Sequence, residues 1–202
     1  MTISYPLSLP NTNIAQIRLY AQNNVALSTS VFTYQAQRVQ HDGDRWAADV
    51  TLPVMTQADA ADWHAFITSL RGRYGTFLLG QSAHGTPRGT PGGTPVVNGA
   101  SQTGYTLVTD GWTVSTTVLK KGDFIQIENR LYMITADATT NGSGQVTLDI
   151  WPSLRDGGPA DNATITYTNA KGTFRLVGNI QAVVDVDPRK LYTLSFNAEE
   201  AL

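Results

Sequence analysis

The sequence predicts a mainly β protein, built as a β-sandwich or barrel domain with one packed α-helix and a second, small β-barrel domain inserted into it. Three observations lead to this prediction. A single stretch, 57–71, has helical periodicity, other apolar residues mostly alternate at period two, and a Gly/Pro/Thr-rich segment, 83–95, separates two β regions. We therefore divide the chain into a discontinuous domain, 1–82 together with 171–202, and an inserted domain, 96–170.

Composition and charge narrow the classes of function. The chain has 202 residues, of which 41% are hydrophobic but only 15% are charged, well below the usual fraction of about a quarter. A net charge of −2 provides no basic field for nucleic acid, and the absence of cysteine excludes a disulfide framework and a thiolate zinc site. Neither a secretory leader nor a membrane-length apolar run is visible, so we expect a protein that works in solution without membrane insertion.

The helix is predicted from signals at both of its ends and from the stripe between them. Thr56 is placed to cap the first turn through its hydroxyl, Asp59 adds a carboxylate near the positive helix end, and Gly72 supplies a left-handed residue that ends the helix. The residues between them form an apolar stripe that has to be buried, and in this chain only sheet can cover it. The stripe consists of Trp63, Phe66, Ile67 and Leu70.

The remainder of the first domain is predicted to be extended. Residues 5–10 form an arm bounded by prolines, which suits a sheet edge or the surface of a partner. The predicted strands are 14–21, 32–39 and 46–52, with turns at Asn23-Asn24 and at 42–44.

The C-terminal part returns to the same alternating pattern. Two runs, 180–186 and 192–198, predict a hairpin with its turn at 187–190 that completes the first sheet. The inserted domain has five short predicted strands, with turns at 128–130 and 141–144. These strands are 105–109, 123–127, 131–135, 146–151 and 163–167.

Residues that carry chemistry are sparse. None of the three histidines has a second histidine at metal spacing, and Ser143 lacks the flanking pattern of a nucleophile. Asp185 and Asp187 resemble an acidic metal motif, but alternation places both on the wet face of a strand, where solvated acids are the default. We therefore predict no catalytic residue, no cofactor and no metal site.

The aromatic residues of the inserted domain have two interpretations. Trp112 and Trp151, together with Tyr105 and Tyr132, are candidate contacts for a glycan, or they form the core of a small β domain. Core packing is the more common role of such residues.

Eight segments of the chain, in order, resemble the distal tail (tail-hub) proteins of long-tailed, siphovirus-type bacteriophages. The segments are 46–55 (WAADVTLPVM), 61–80 (ADWHAFITSLRGRYGTFLLG), 86–90 (TPRGT), 97–100 (VNGA), 109–112 (TDGW), 119–123 (LKKGD), 148–152 (LDIWP) and 191–202 (LYTLSFNAEEAL). The resemblance implies a virion protein of the tail tip, made in the host bacterial cytoplasm, with a β-rich domain that forms a homo-hexameric ring. It also implies an OB-like or galectin-like insert that faces baseplate or fibre partners.

A ring of this kind joins the tail tube to the hub and surrounds a channel that DNA crosses without specific binding. We expect acidic or neutral lumen positions, with Arg18, Arg38 and Arg45 not clustered there. Sheet edges with little charge suit β-augmentation between chains. The expected subunit contacts are Tyr5, Pro6, Leu7, Pro10, Tyr192 and Phe196.

Two alternatives belong to other classes of protein. The insert would be a carbohydrate-binding module for host attachment if Trp112 or Trp151 holds a saccharide. A cell-wall hydrolase would need paired carboxylates in a groove, whereas the acids here are scattered.

Overall fold

A computed structural model describes residues 3–10, 14–81, 85–155, 157–179, 185–186 and 191–201, and the protein is mainly β with one described helix, as predicted. Within these residues, no helical segment has the length and apolar character of a membrane span. The elements are β1 Gln16–Thr29, β2 Ala36–Thr51, α1 Gln57–Ser69, β3 Thr76–Leu79, β4 Gly93–Val97, β5 Gly104–Trp112, β6 Thr117–Leu119, β7 Phe124–Ile127, β8 Arg130–Ile134, β9 Ala138–Thr139, β10 Val146–Leu154, β11 Ile165–Thr166, β12 Gly172–Leu176, β13 Asp185–Val186, β14 Tyr192–Thr193 and β15 Ser195–Glu200.

A five-stranded antiparallel sheet combines strands from both ends of the chain, in the order β1-β2-β15-β12-β3. The helix α1 packs on this sheet through aromatic contacts. The Trp63 and Phe196 rings lie 6.0 Å apart, and the Phe66 and Phe77 rings 5.7 Å apart. The predicted stripe is buried, with Trp63 and Leu70 at 0% exposure. The prediction that sheet covers the helix is therefore confirmed.

The ends of the helix differ from the prediction in two respects. Thr56 occupies the N-cap position, but its hydroxyl donates to the Asp59 carboxylate at 2.9 Å and makes no capping bond to the backbone. The helix ends at Ser69, two residues early, because Arg71 already adopts a left-handed conformation with φ of 53°. Gly72 does adopt the predicted left-handed conformation, with φ of 68°.

The first two strands are longer than predicted, and the turns at Asn23-Asn24 and 42–44 are wrong. Both segments lie inside one long hairpin, where a β-bulge between Gln22 and Asn24 absorbs the irregularity. A Cβ at Gly43 would lie 2.7 Å from the Asn24 side chain, so glycine admits the asparagine here. The chain reverses instead at 30–35.

The second main sheet has six strands in the order β11-β7-β8-β10-β5-β4. A bridge between Val96 and Thr164 brings β4 beside β11, so this sheet nearly closes into a barrel. The predicted turn at 128–130 is confirmed, with Glu128 at a φ of 55°. The turn at 141–144 is also confirmed, because the Asn141 side chain accepts from the Ser143 N–H at 2.9 Å.

The segment 83–95, predicted as a linker between the two domains, is bound to the inserted domain over its described part. The Asp123 carboxylate, 2% exposed, accepts from the backbone N–H groups of Arg88 at 3.0 Å and of Gly89 at 3.3 Å. A Cβ at Gly89 would lie 2.2 Å from a backbone oxygen, so this approach requires glycine. Its last residues, from Gly93, already belong to β4.

The two main sheets share a packed junction. The Trp46 indole N–H donates to the Leu131 carbonyl at 3.0 Å, and its ring lies 5.7 Å from the Phe124 ring. The Thr173 N–H donates to the Asn129 carbonyl at 2.8 Å. Residues from both sheets therefore form one continuous hydrophobic cluster.

The predicted C-terminal hairpin is described only in part. Residues 180–184 and 187–190 lie outside the described residues. β13 pairs with β14, while β15 joins the five-stranded sheet between β2 and β12. The predicted run 192–198 therefore divides between two sheets.

Candidate functional site

Among the described residues, the largest group of exposed apolar side chains lies on a β-hairpin, which we call the hairpin arm and define as residues 24–41. Every residue of the arm is exposed except the partly buried Ser30. Within the described residues, β15 pairs with β2 only at 47–51. In the arm, the backbones of β1 and β2 therefore pair only with each other. The exposed apolar side chains are Val25, Leu27, Val31, Phe32, Tyr34 and Val39, of which Phe32 is 92% exposed.

Local hydrogen bonds shape the tip of the arm. The Ser30 N–H donates to the Gln35 carbonyl, and the Tyr34 N–H donates to the Ser30 carbonyl, both at 2.9 Å. The Ser30 hydroxyl accepts from the Phe32 N–H at 3.3 Å. Tyr34 adopts a φ of 55°, a left-handed conformation typical of tight turns. The tip is thus a defined turn that leaves two aromatic side chains exposed.

The arm carries almost no charge. Between Asn24 and Gln40 the only charged residue in the sequence is Arg38. Because successive strand residues face opposite sides, Val25 and Leu27 lie on one face and Val39 lies on the other. Charged side chains usually prevent exposed strands from pairing with other chains. The arm therefore offers both faces and its edges to a partner.

Polar contacts fix the base of the arm to the inserted domain. The Tyr105 hydroxyl donates to the fully buried carboxylate of Asp44, and the Trp151 indole N–H donates to the Asn23 side chain at 3.2 Å. Desolvation, with the Asp44 hydrogen bond, raises the pKa of Tyr105 to about 12. The hydroxyl therefore keeps its proton at neutral pH and remains a donor.

A cluster of charges lies behind the base of the arm. The Glu199 carboxylate, which is nearly buried, is bracketed by three guanidinium groups. These belong to Arg45 at 3.0 Å, Arg175 at 3.0 Å and Arg73 at 3.5 Å. The neighbouring Glu200 accepts from the Trp46 N–H at 3.0 Å, and desolvation raises its pKa. The cluster joins β2, β12 and β15 at the centre of the sheet.

The predicted contact residues of the N-terminal segment lie along the β3 edge of their own sheet. The Leu7 N–H donates to the Thr76 carbonyl at 2.8 Å, and the Leu7 carbonyl accepts from Leu78 at 2.9 Å. The Tyr5 hydroxyl donates to the Ser69 carbonyl at 2.7 Å. The four residues remain partly exposed, and their part in subunit contacts stays a prediction. They are Tyr5, Pro6, Leu7 and Pro10.

The C-terminal contact residues divide into one correction and one prediction. Phe196 is 2% exposed, and its ring packs 5.9 Å from that of Phe77, so it belongs to the core and has no surface for a neighbouring subunit. Tyr192 is partly exposed and exchanges backbone hydrogen bonds with Met55 at 3.0 and 3.1 Å. Its part in an interface stays a prediction.

The candidate glycan contacts also change. Trp112 is 4% exposed, and its indole N–H donates to the Thr109 hydroxyl at 2.8 Å, so it is a core residue that cannot stack on a sugar. Trp151 is partly exposed, but its ring packs edge-on against Trp46 with centroids 4.4 Å apart. Among the described residues, no group of three or more His, Asp or Glu side chains could hold a metal ion.

The hairpin arm was not predicted from the sequence, because Asn23-Asn24 was interpreted as a turn that ends the first strand. A signal was present, since apolar residues continue to alternate through Val25 and Leu27. Comparison of the chain with protein-family models finds no match, and comparison with curated proteins finds none either. The site is therefore interpreted from its own geometry.

Proposed function

We propose that this protein is a structural component of a phage tail tip, where copies form a homo-hexameric ring that joins the tail tube to the baseplate hub and fibres. The hexamer and the position in the virion rest on the resemblance of the eight sequence segments. The observation that carries an assembly role is the hairpin arm, which exposes apolar side chains along two strands and at its tip.

The strands of the arm pair only with each other among the described residues, which leaves the arm few contacts within its own chain. A two-stranded ribbon is marginally stable in water, and contiguous exposed apolar surface indicates an interaction site. Phe32 and Tyr34 are aromatic anchors of the kind that dominate protein interfaces. Association with a neighbouring copy would bury them and extend the pairing of the strands.

The proposed ring surrounds a channel that does not retain DNA. Arg45, one of the three arginines expected not to cluster at the lumen, is paired with Glu199 at 3.0 Å. A ring with a nearly neutral lumen lets the nucleic acid pass without specific binding.

Mass photometry and light scattering over a range of concentrations test the assembly role. The wild-type chain should reach a mass of about six times 21.8 kDa, and Phe32→Ser with Tyr34→Ser should shift this population to the monomer because the anchors are lost. Electron microscopy of tail particles then tests the six-fold ring and its place at the tip.

Val114→Ser is the matched control, since Val114 is also an exposed apolar residue, at 52%, but lies in the inserted domain away from the arm. This variant should assemble like the wild type. A strictly monomeric wild type at every concentration, with no ring on tail particles, would contradict the proposal.

A further inference from the structure

A small cavity lies at one end of the inserted domain, beside the turn between β7 and β8. Its volume is about 100 Å³. Arg130, Tyr132 and Arg155 contribute polar side chains to its lining, and Glu128 lies at its exposed rim. None of its lining residues belongs to the hairpin arm.

The feature that needs a physical explanation is the guanidinium of Arg155. Its three nitrogens, Nε, Nη1 and Nη2, are all buried, and among the described residues no atom accepts a hydrogen bond from any of them. An arginine side chain is always charged, and a buried charge without a counter-charge or acceptors is strongly destabilising. A group that supplies acceptor oxygens would remove this cost.

Two acids of the described residues lie near the cavity, and neither supplies those oxygens. Glu200 uses its carboxylate to accept from the Trp46 N–H, and it forms no ion pair with Arg155 within 4.0 Å in the described residues. Glu128 is exposed to solvent. The charge of Arg155 is nevertheless close enough to lower the pKa of Tyr132 and of Glu200, against the effect of their burial.

The other polar groups of the cavity favour an anion. Arg130 lies next to the Tyr132 hydroxyl and brings a second positive charge. Desolvation raises the pKa of Tyr132, so its hydroxyl is protonated at neutral pH and remains a donor. Residues with two positive charges and one hydroxyl therefore line a space of about 100 Å³.

We propose that this cavity binds a carboxylate group, held by the guanidinium of Arg155 with support from Arg130 and the Tyr132 hydroxyl. A carboxylate matches the fork of a guanidinium with two parallel hydrogen bonds. Glu128 and Glu200 nearby disfavour an anion with two charges, so a carboxylate is preferred over phosphate. The small volume admits the acidic end of a molecule or side chain and excludes a sugar ring.

Thermal unfolding of the full chain in sodium acetate, against sodium chloride at equal ionic strength, tests this inference. Acetate at about ten times its dissociation constant should raise the Tm of the wild type by about 4 °C. In Arg155→Met the acetate-specific rise should vanish, while the Tm without acetate should be equal or higher because an unpaired charge is gone. Arg38→Met, on the hairpin arm, should respond like the wild type.

Two outcomes would overturn the inference: a Tm of the wild type that does not depend on acetate, or the same rise in Arg155→Met. A larger rise with phosphate than with acetate would reject the carboxylate class. A direct measurement that needs no folded variant is the arginine Nε–Hε spectrum of the wild type, in which at least one resonance should shift and saturate with acetate and remain unchanged with chloride.

Mass photometry in the same acetate series distinguishes two sources of the natural carboxylate, a neighbouring protein chain and a small acidic ligand. Loss of oligomers as acetate rises assigns the group to a neighbouring protein chain, since acetate then competes with it. Unchanged masses, with the Tm rise retained, assign it to a small acidic ligand.

Discussion

The two halves of β2 form one continuous strand, yet their surroundings are opposite. The inner half, from Trp46, packs into the core, with Ala48 at 0% and Val50 at 1% exposure. The outer half, from Ala36 to His41, is exposed throughout and pairs only with β1 among the described strands. Packing stabilises the inner half, whereas the outer half has only its pairing and its tip turn. One extended strand therefore contributes to the stability of the core in its inner half and is available to bind a partner in its outer half.

The strongest test of this comparison is a core truncation beside the inner half. Trp63→Ala should lower the free energy of unfolding by about 4 kcal/mol, because it leaves a cavity between α1 and the sheet. Urea denaturation monitored by circular dichroism measures the change. A loss below about 1 kcal/mol would show that the helix does not anchor this core.

A second test concerns the buried carboxylate that holds the connection to the inserted domain. Asp123→Ala should cost about 2 kcal/mol, because the N–H groups of Arg88, Gly89 and Lys120 lose their acceptor. It should also speed proteolysis within residues 85–92. Asp137→Ala, which removes one exposed bond to the Lys121 N–H, should have a much smaller effect in the same assays.

The pH dependence of stability tests the buried charge next to the inner half of β2. The folded-state pKa of Glu200 is raised above its ordinary value of 4.5, chiefly by desolvation. The folded state therefore favours the protonated form of Glu200. This contribution to stability is fully present below about pH 4.5 and is lost as the pH rises through the raised pKa. Glu200→Gln should gain stability relative to the wild type between pH 4 and pH 8, measured as urea midpoints. A constant or falling difference would contradict this direction.

The smallest expected effect on folding is at the tip of the arm. Phe32→Ser should change the free energy of unfolding of the monomer by less than about 0.5 kcal/mol, because Phe32 is 92% exposed and buries almost no surface within its own chain. Denaturation below the association concentration measures it. A large loss would mean that the ring packs within its own chain, which would weaken the comparison.

Features that depend on neighbouring residues could be predicted from the sequence, whereas features that depend on contacts between distant residues could not. The stripe on α1 and the turns near Glu128 and Asn141 depend on neighbouring residues, and the structure contains all three. The composition of Asn23-Asn24 is typical of a turn. The chain instead forms a β-bulge there, because Gly43 on the paired strand leaves space for the Asn24 side chain. Phe196 alternates like a surface strand residue, yet its face meets the helix.

The sequence alone determined the mainly β class, the position of the helix and its buried face, because periodicity and backbone preference are local properties. Only the tertiary structure decided that β1 and β2 extend into an exposed arm, that Asp123 holds the connection to the inserted domain, and that the buried guanidinium of Arg155 has no acceptor among the described residues. These features depend on groups distant in sequence meeting, or failing to meet, in space. Their energies come from desolvation and contact, which no local pattern records.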